Sequence, residues 1–511
     1  MKKTYILPTI ASSAKLGFFL LCLMAFTPAL FSQKVAHTSI NKTNINLRGN
    51  PVILGQVTLN TATAGKVILR FDGQCLSSVG DRIVLAASQT TNWGTNDGCV
   101  ELEAASADIS SNPFSHTRSY DVPAGEHTFY AVAQNFYELI GSGKASIYGS
   151  LTAEWFPEIP GKAFARHQGF TFENILVEGA PRTFGSLTID APESGKVLVR
   201  FDGKCVSNYG DLIFFAASNT PTWGNFDGSS SNEVISNDLN HFSFAHIRTY
   251  DVEAGSHTFY AVVENFYEVY GNGFASIYGS LTIEFFPDTD GAAFAFQPIN
   301  TQFGITVEGP PVPVGTINMN APTAGKVAVN FAGTCIASNG DQVRLAASDH
   351  PNWSANDGCI QYEPYSSDHN RTSFSHTMVY DVAPGDHTFY AVIQNYEEYE
   401  GSGLAVVYAS LTTRFFPNNS SAAQEPEAFR NIKISPNPAS EFVHIEYPDL
   451  TQERFSMTLC DGNGRILKRF EKSEHDFSEQ VQWELNDLPQ GVYFIKLTNA
   501  EGTAARQFVR L

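Results

Sequence analysis

One pattern occurs three times in this chain. Residues 120–157, YDVPAGEHTFYAVAQNFYELIGSGKASIYGSLTAEWFP, return with small changes at 250–287 and at 380–417. Lys66, Lys196 and Lys326, then Trp93, Trp223 and Trp353, then Phe114, Phe244 and Phe374 keep the same 130-residue interval without insertion. Such register implies duplication of a whole folding unit. A unit this long carries its own turns and its own core, so it reads as a domain rather than as one turn of a solenoid.

Within a copy the residues alternate with a period of two. Ala145, Ile147, Leu151 and Trp155 share one face, and Ser146, Tyr148, Ser150, Thr152 and Glu154 the other, the signature of a half-buried strand. The strand upstream, 126–138, is joined to it through Gly141-Ser142-Gly143, and the two read as a long hairpin with glycines supplying positive φ. In 66–75, Val67, Leu69 and Phe71 face a core while Lys66 and Arg70 point away. Seven strands are expected in the first copy, at about 44–48, 55–60, 66–75, 82–88, 114–122, 126–138 and 144–156. Their glycine-rich turns describe an all-β, two-sheet sandwich, and both jelly-roll and Ig-like orders satisfy the pattern. The expected organisation is three tandem β-sandwich domains at 41–157, 171–287 and 301–417, a linker at 418–429, and a small Ig-like β-sandwich at 430–511. Segments 158–170 and 288–300 read as linkers, so the three domains are expected as beads with separate cores.

Residues 1–32 have a different character. Lys2, Lys3 and Lys15 precede the apolar run 16–26, and Ser32-Gln33 offers a cleavage point, the layout of a signal peptide. Its removal takes the formal charge from −20 to −23, and no stretch of the mature chain is apolar enough for a transmembrane helix. That charge argues against nucleic acid as a partner, because no basic stripe exists to displace counterions from phosphates.

Cys75 and Cys99 stand in the same spacing as Cys335 and Cys359, whereas in the second copy Cys205 faces Ser229. In an exported protein this predicts one disulfide within each outer copy and a free Cys205. Each bridge would pin a loop carrying a tryptophan and an aspartate: Trp93 and Asp97, Trp223 and Asp227, Trp353 and Asp357. Such a loop can stack on a sugar ring and accept its hydroxyl protons, or can tuck the indole into the core. His116 and His127 recur at 246, 257, 376 and 387, and Asp81, Asp97 and Asp121 have counterparts in every copy. No motif joins them to a nucleophile, and an enzyme is not expected. No metal-ligand spacing accompanies the cysteines, and no cofactor is expected; calcium at Asp81 and Asp97 is the alternative.

The last 80 or so residues change style again. Pro436, Asn437 and Pro438 open them, Asp461, Gly464 and Arg465 stand in the middle, and Gly491 and Tyr493 precede alternating residues up to Leu497. These motifs resemble the C-terminal sorting domain, type A, of cargo for the type IX secretion system of the Bacteroidetes lineage. The resemblance implies passage through the periplasm, export by that machinery, and a secreted or outer-membrane-surface destination. The closing strands of each repeat, AGEHTFYAV and SLTAEWF in the first copy, resemble the last hairpin of C1q-like jelly rolls. Together these readings describe an exported, non-catalytic protein whose repeats bind an extracellular glycan or protein, an adhesin-like role. A passive spacer of an extracellular matrix and a secreted hydrolase are the alternatives.

Overall fold

The computed structural model describes residues 33–511 except 94–97, 104–110, 139–140, 159–163, 224–227, 235–240, 269–270, 289–293, 302–304, 308, 354–357, 365–370, 399–401, 419–431, 448–453, 462–465, 474–479 and 499–502. Two compact units emerge, residues 1–417 and 418–511. The strands, numbered β1–β32 along the chain, form eight antiparallel sheets.

In the first repeat β1 (Lys34–Asn46), β8 (Lys144–Pro157), β3 (Gly65–Ser77) and β6 (Ser111–Val122) make one sheet in that order. The facing sheet runs β2 (Val52–Thr61), β7 (Gly125–Glu138), β4 (Asp81–Ser88), β5 (Val100–Glu103). Consecutive strands therefore alternate between sheets except β4 and β5, which pair with each other, and this is the jelly-roll order. The second repeat repeats it with β14 (His241–Val252), β11 (Gly195–Ser207), β16 (Phe274–Pro287) and β9 (Ala165–Leu176) in one sheet and β10 (Arg182–Ala191), β15 (Gly255–Glu268), β12 (Asp211–Ser218) and β13 (Ser230–Glu233) in the other. The third repeats it with β17 (Phe294–Asn300), β25 (Leu404–Pro417), β20 (Gly325–Ala337) and β23 (Arg371–Val382) in one sheet and β19 (Val312–Ala321), β24 (Gly385–Glu398), β21 (Asp341–Ser348) and β22 (Ile360–Tyr362) in the other, its first strand broken into β17 and β18 (Ile305–Thr306). Each sandwich is filled from both sheets, with an edge-on aromatic pair at the same place in each: Phe71–Phe114 and Phe201–Phe244 at 4.7 Å, Phe331–Phe374 at 4.8 Å.

Three expectations are corrected here. The expected 126–138/144–156 hairpin is not one: β7 pairs with β2 and β4, and β8 with β1 and β3, so the connection crosses from sheet to sheet. The crossing is tied by Asp81, whose buried carboxylate accepts from Asn135 Nδ2 at 2.7 Å and from the Gly143 amide at 3.0 Å, where Gly143 has φ +71°. Asp211 and Asp341 accept equally from Asn265 and Asn395. Asp81 is thus a turn-holding residue, its oxygens taken by N–H donors, and not an open calcium ligand. Among the described residues no group of His, Cys, Asp and Glu is placed to hold a metal.

The expected bridges Cys75–Cys99 and Cys335–Cys359 are also absent, and every described cysteine is a free thiol. Cys75 and Cys335 point into the sandwich interior from β3 and β20 (Gly325–Ala337). Cys99 instead lies on the wall of a cleft between the first and second repeats, near Lys204 of the neighbouring copy. Burial pushes the Cys75 thiol up to about 12, raises Cys335 as well, and brings Cys99 and Cys359 up to about 11.

The third correction is the largest. The repeats are not beads. The face of β3 that looks solvent-bound in the sequence, with Arg70, Asp72 and Gln74, is buried, and so are Ser150, Thr152 and Glu154 on β8. What covers them is the other two repeats. The contacts run in a cycle: Ser150 Oγ donates to Thr377 O at 2.8 Å, Ser280 Oγ to Thr117 O at 3.4 Å, and Ser410 Oγ to Ile247 O at 3.1 Å. The edge strands β6, β14 (His241–Val252) and β23 (Arg371–Val382) meet one another, and their backbone is satisfied across copies. The Ser115 amide donates to Ser243 Oγ and the Ala245 amide to Ser373 Oγ, both at 2.9 Å.

At the axis of this three-around-one arrangement sits a buried ionic cluster. Arg70 reaches Glu154 at 2.8 Å and Glu284; Arg414 reaches Glu154 at 2.8 Å and Glu284 at 2.9 Å. Arg200 bridges Asp72 at 2.8 Å and Asp202 at 3.0 Å, and Ser115 and Thr377 donate to Asp72, each at 2.7 Å. Three identical copies would repeat Arg70, Asp72 and Glu154 and bury three arginines against six acids. The third copy instead carries Asn330, Ala332 and Arg414 at those places, leaving three arginines against four acids. The copies diverge where a shared axis demands it.

In the second unit β26 (Lys433–Ser435), β27 (Phe442–Glu446) and β30 (Gln480–Glu484) face β29 (Ile466–Lys472), β28 (Phe455–Asp461), β31 (Gly491–Thr498) and β32 (Thr503–Arg510), the expected Ig-like sandwich. Pro436 and Pro438 follow cis bonds, and Asn437 Oδ1 accepts the Val509 amide at 3.0 Å, fastening the terminal strand to the opening motif. Asp461 pairs in register with Tyr493, which lies two residues into β31 after Gly491 and donates its hydroxyl to Pro489 O at 2.5 Å. Gly464 and Arg465 lie outside the described residues.

Candidate ligand groove

Where two repeats meet, the edge strand of one stands opposite the first strand of the next, and a groove opens between them. Between the first and second repeats it encloses about 810 Å³. One wall is β6 with Gly98 and Trp93. The other is β9 (Ala165–Leu176), with β11 (Gly195–Ser207) and β16 (Phe274–Pro287) behind it.

The predicted Trp93 is half-buried on this wall, its indole N–H donating to Gln134 Oε1 at 3.3 Å, so it is neither a free loop residue nor a core residue. Trp223 packs edge-on against Phe214 at 5.7 Å, and Trp353 lies under the Arg344 guanidinium at 6.0 Å. Asp97, Asp227 and Asp357 fall outside the described residues. Of the three tryptophans, only Trp93 is among the residues lining either described groove.

Two histidines face this space from different copies. His116 Nδ1 accepts the Ala87 amide at 2.9 Å, which leaves Nε2 as the protonated nitrogen of a neutral ring, directed toward Gly98. His167 Nδ1 meets Thr282 Oγ1 at 2.9 Å, and burial, aided by the nearby Arg118, pushes its pKa down to about 3. Its Nε2 has no hydrogen-bond partner among the described residues. Lys204 bonds Glu101 of the first repeat and lies over the Tyr278 ring at 4.7 Å, while the Tyr278 hydroxyl donates to Glu173 at 3.1 Å.

Asp202, the one carboxylate among the described residues of the groove lining, is committed to Arg200, Ser115, Thr117 and Ser280. Burial would raise its pKa, but these partners outweigh that and hold it below the ordinary range. His127 is remote from this chemistry: its Nε2 meets Pro123 O at 2.8 Å, and Asp121 pairs with Lys66. The residues that the sequence did not single out are Arg118, His167, Lys204 and Tyr278. They come from two copies, so no spacing within one copy could have grouped them.

Residues 433–510 match the family model described as "Secretion system C-terminal sorting domain". They are a type IX sorting domain. The sorting domain marks the chain for export by that machinery, and it covers the unit whose Pro436-Asn437-Pro438 opening anchors the last strand. The match does not extend to the three repeats. No curated protein matches the chain. Among solved structures, a DUF3244-family protein of immunoglobulin-like β-sandwich fold from Bacteroides vulgatus is 11% identical, covering 16% of this chain and 84% of its own, with TM-score 0.14. PNGase F, a glycosylasparaginase from Flavobacterium meningosepticum, is 9% identical over 49% of this chain and 96% of its own, with TM-score 0.24. A chain of Sulfolobus Turreted Icosahedral Virus is 11% identical over 51% and 94%, with TM-score 0.20. No helix among the described residues is long and apolar enough to cross a membrane.

Proposed function

We propose that the protein is an exported, non-catalytic binding protein that takes an extracellular glycan in the groove between its first and second repeats. The leader would carry it to the periplasm and the sorting domain across the outer membrane, to the surface or the medium. The observation that supports the binding reading is the groove itself, with the Trp93 indole on one wall and the Tyr278 ring on the other, and N–H donors between them. Aromatic faces with convergent donors suit saccharide rings and their oxygens. Against catalysis stand the groove's candidate groups. The Cys99 thiol is pushed up to about 11, and the hydrogen bonds of Asp202 go to Arg200, Ser115, Thr117 and Ser280, so neither is offered as an activated nucleophile or its base.

The test is a glycan array followed by titration calorimetry on the full chain. Trp93→Ala should weaken binding of the array-identified glycan about tenfold, in line with loss of one aromatic platform. Trp353→Ala should change it little. A folded Trp93→Ala protein that binds as well as the parent removes the groove as the site, and a chain that binds no glycan leaves the spacer reading.

A further inference from the structure

The grooves are built alike but furnished differently, and the difference indicates what the first one holds. After internal pairing, Lys204 is neutralised by Glu101 and Asp202 by Arg200. Arg118 has no acidic partner among the described residues, and its buried Nε has no hydrogen-bond partner there. Its guanidinium stands between two glycines from opposite walls: a Cβ added at Gly98 would lie 3.6 Å from Nη1, and one at Gly169 3.3 Å. The absence of side chains at both places leaves room around this one cation. His116 and His167 add neutral ring nitrogens beside it.

The groove between the second and third repeats keeps His246, Arg248 and Tyr408 but encloses only about 300 Å³. There Arg248 lies over the Phe296 ring at 5.6 Å, Gln297 stands where His167 does, and Thr334 replaces Lys204. At the third meeting, Met378 stands in the place of Arg118 and Gln74 in that of Lys204. Of the two described grooves, the first therefore combines the larger space, an arginine with no acidic partner among the described residues, and aromatic walls.

We infer that the groove between the first and second repeats is a single site for an acidic saccharide, one bearing carboxylate or sulfate, with Arg118 as the anion-binding residue. This rests on the glycan reading above and narrows it. An isolated anion would satisfy Arg118 alone, whereas a sugar ring also uses the Trp93 and Tyr278 faces, which favours a saccharide over an acidic peptide.

The experiment titrates the full chain with four probes: a uronic-acid tetrasaccharide, its methyl ester, a sulfated tetrasaccharide, and tetraglutamate. The inference expects one site per chain for the uronate or the sulfated sugar. It also expects at least tenfold weaker binding of the methyl ester, weakening with added salt, and at least tenfold loss in Arg118→Met. Arg118→Lys should retain part of the affinity, and Arg248→Met should match the parent, which separates anion binding from a folding defect. Equal affinity for the uronate and its ester would overturn the acidic specificity and leave the glycan reading standing. Tetraglutamate bound as tightly as the sugars would make the site one for acidic peptides, and three sites per chain would refute the single groove. Failure of every saccharide here and on the array would sink both readings.

Discussion

Arg414→Met should destabilise the three-repeat unit by about 3–5 kcal/mol, the cost of leaving a buried charge cluster without one of its partners. Arg414 touches both Glu154 and Glu284, and those two carboxylates are fully buried. Without it, Arg70 alone would face two acids, and Arg70 is itself strained electrostatically. Burial, with Arg414 and Arg200 nearby, brings its pKa down to about 10 despite Glu154. Calorimetry on the full chain should show the transition of the repeat unit fall by many degrees while that of the sorting domain stays in place. A shift of a degree or two would mean that the acids find water, and that the cluster is not closed. Replacing Arg70, Glu154, Glu284 and Arg414 together with leucine should cost much less than the single change, because both buried arginines leave together with both of their acids and no buried charge is orphaned.

Acid should loosen the same unit through two histidines. His37 and His167 start at the ordinary value of 6.5 in the unfolded chain and are pushed down to about 4 and about 3 in the fold. Burial is the main cause for each, with His376 and Lys326 adding to it at His37, and Arg118 at His167. A folded-state pKa below the unfolded one means that the unfolded chain binds the proton first. Stability is therefore full above pH 6.5 and is lost as pH falls toward 4 for His37 and 3 for His167, about 3 kcal/mol for the first and about 5 kcal/mol for the second. The third repeat carries Gln297 at this position, which shows that an amide fits there. His37→Gln with His167→Gln should flatten the dependence of urea midpoint on pH between 6.5 and 4. An unchanged slope would assign the acid sensitivity elsewhere.

Much of the sandwich was legible. The period of two in 66–75 and 144–156 located β3 and β8, and Val67, Leu69, Phe71, Ile147 and Leu151 are indeed core. The eighth strand, β5, was missed because four residues between unpatterned loops carry too little alternation. The hairpin misreading has a plain cause as well: a glycine turn looks the same whether the chain returns to its own sheet or crosses to the other.

The polar faces were the deeper difficulty. Alternation tells which residues share a face, and nothing about what lies against that face. Arg70, Asp72 and Glu154 look solvated until two further copies of the domain close over them. The sequence held a trace of this in Asn330, Ala332 and Arg414, where the third copy exchanges charge while its apolar register is kept. The groove was half legible for the same reason, Trp93 standing out within one copy while Arg118 and His167 meet only across two.

That the three repeats are one body, held by an axis of buried charge, is what both the groove and the stability predictions need. Its most direct test is to place a protease site within 159–163 and another within 289–293, cleave both, and run the product on a sizing column in native buffer. The three fragments should elute together at the volume of the uncut protein and separate only in denaturant. Fragments that part in native buffer would show independent beads, and would contradict the shared axis and the groove with it.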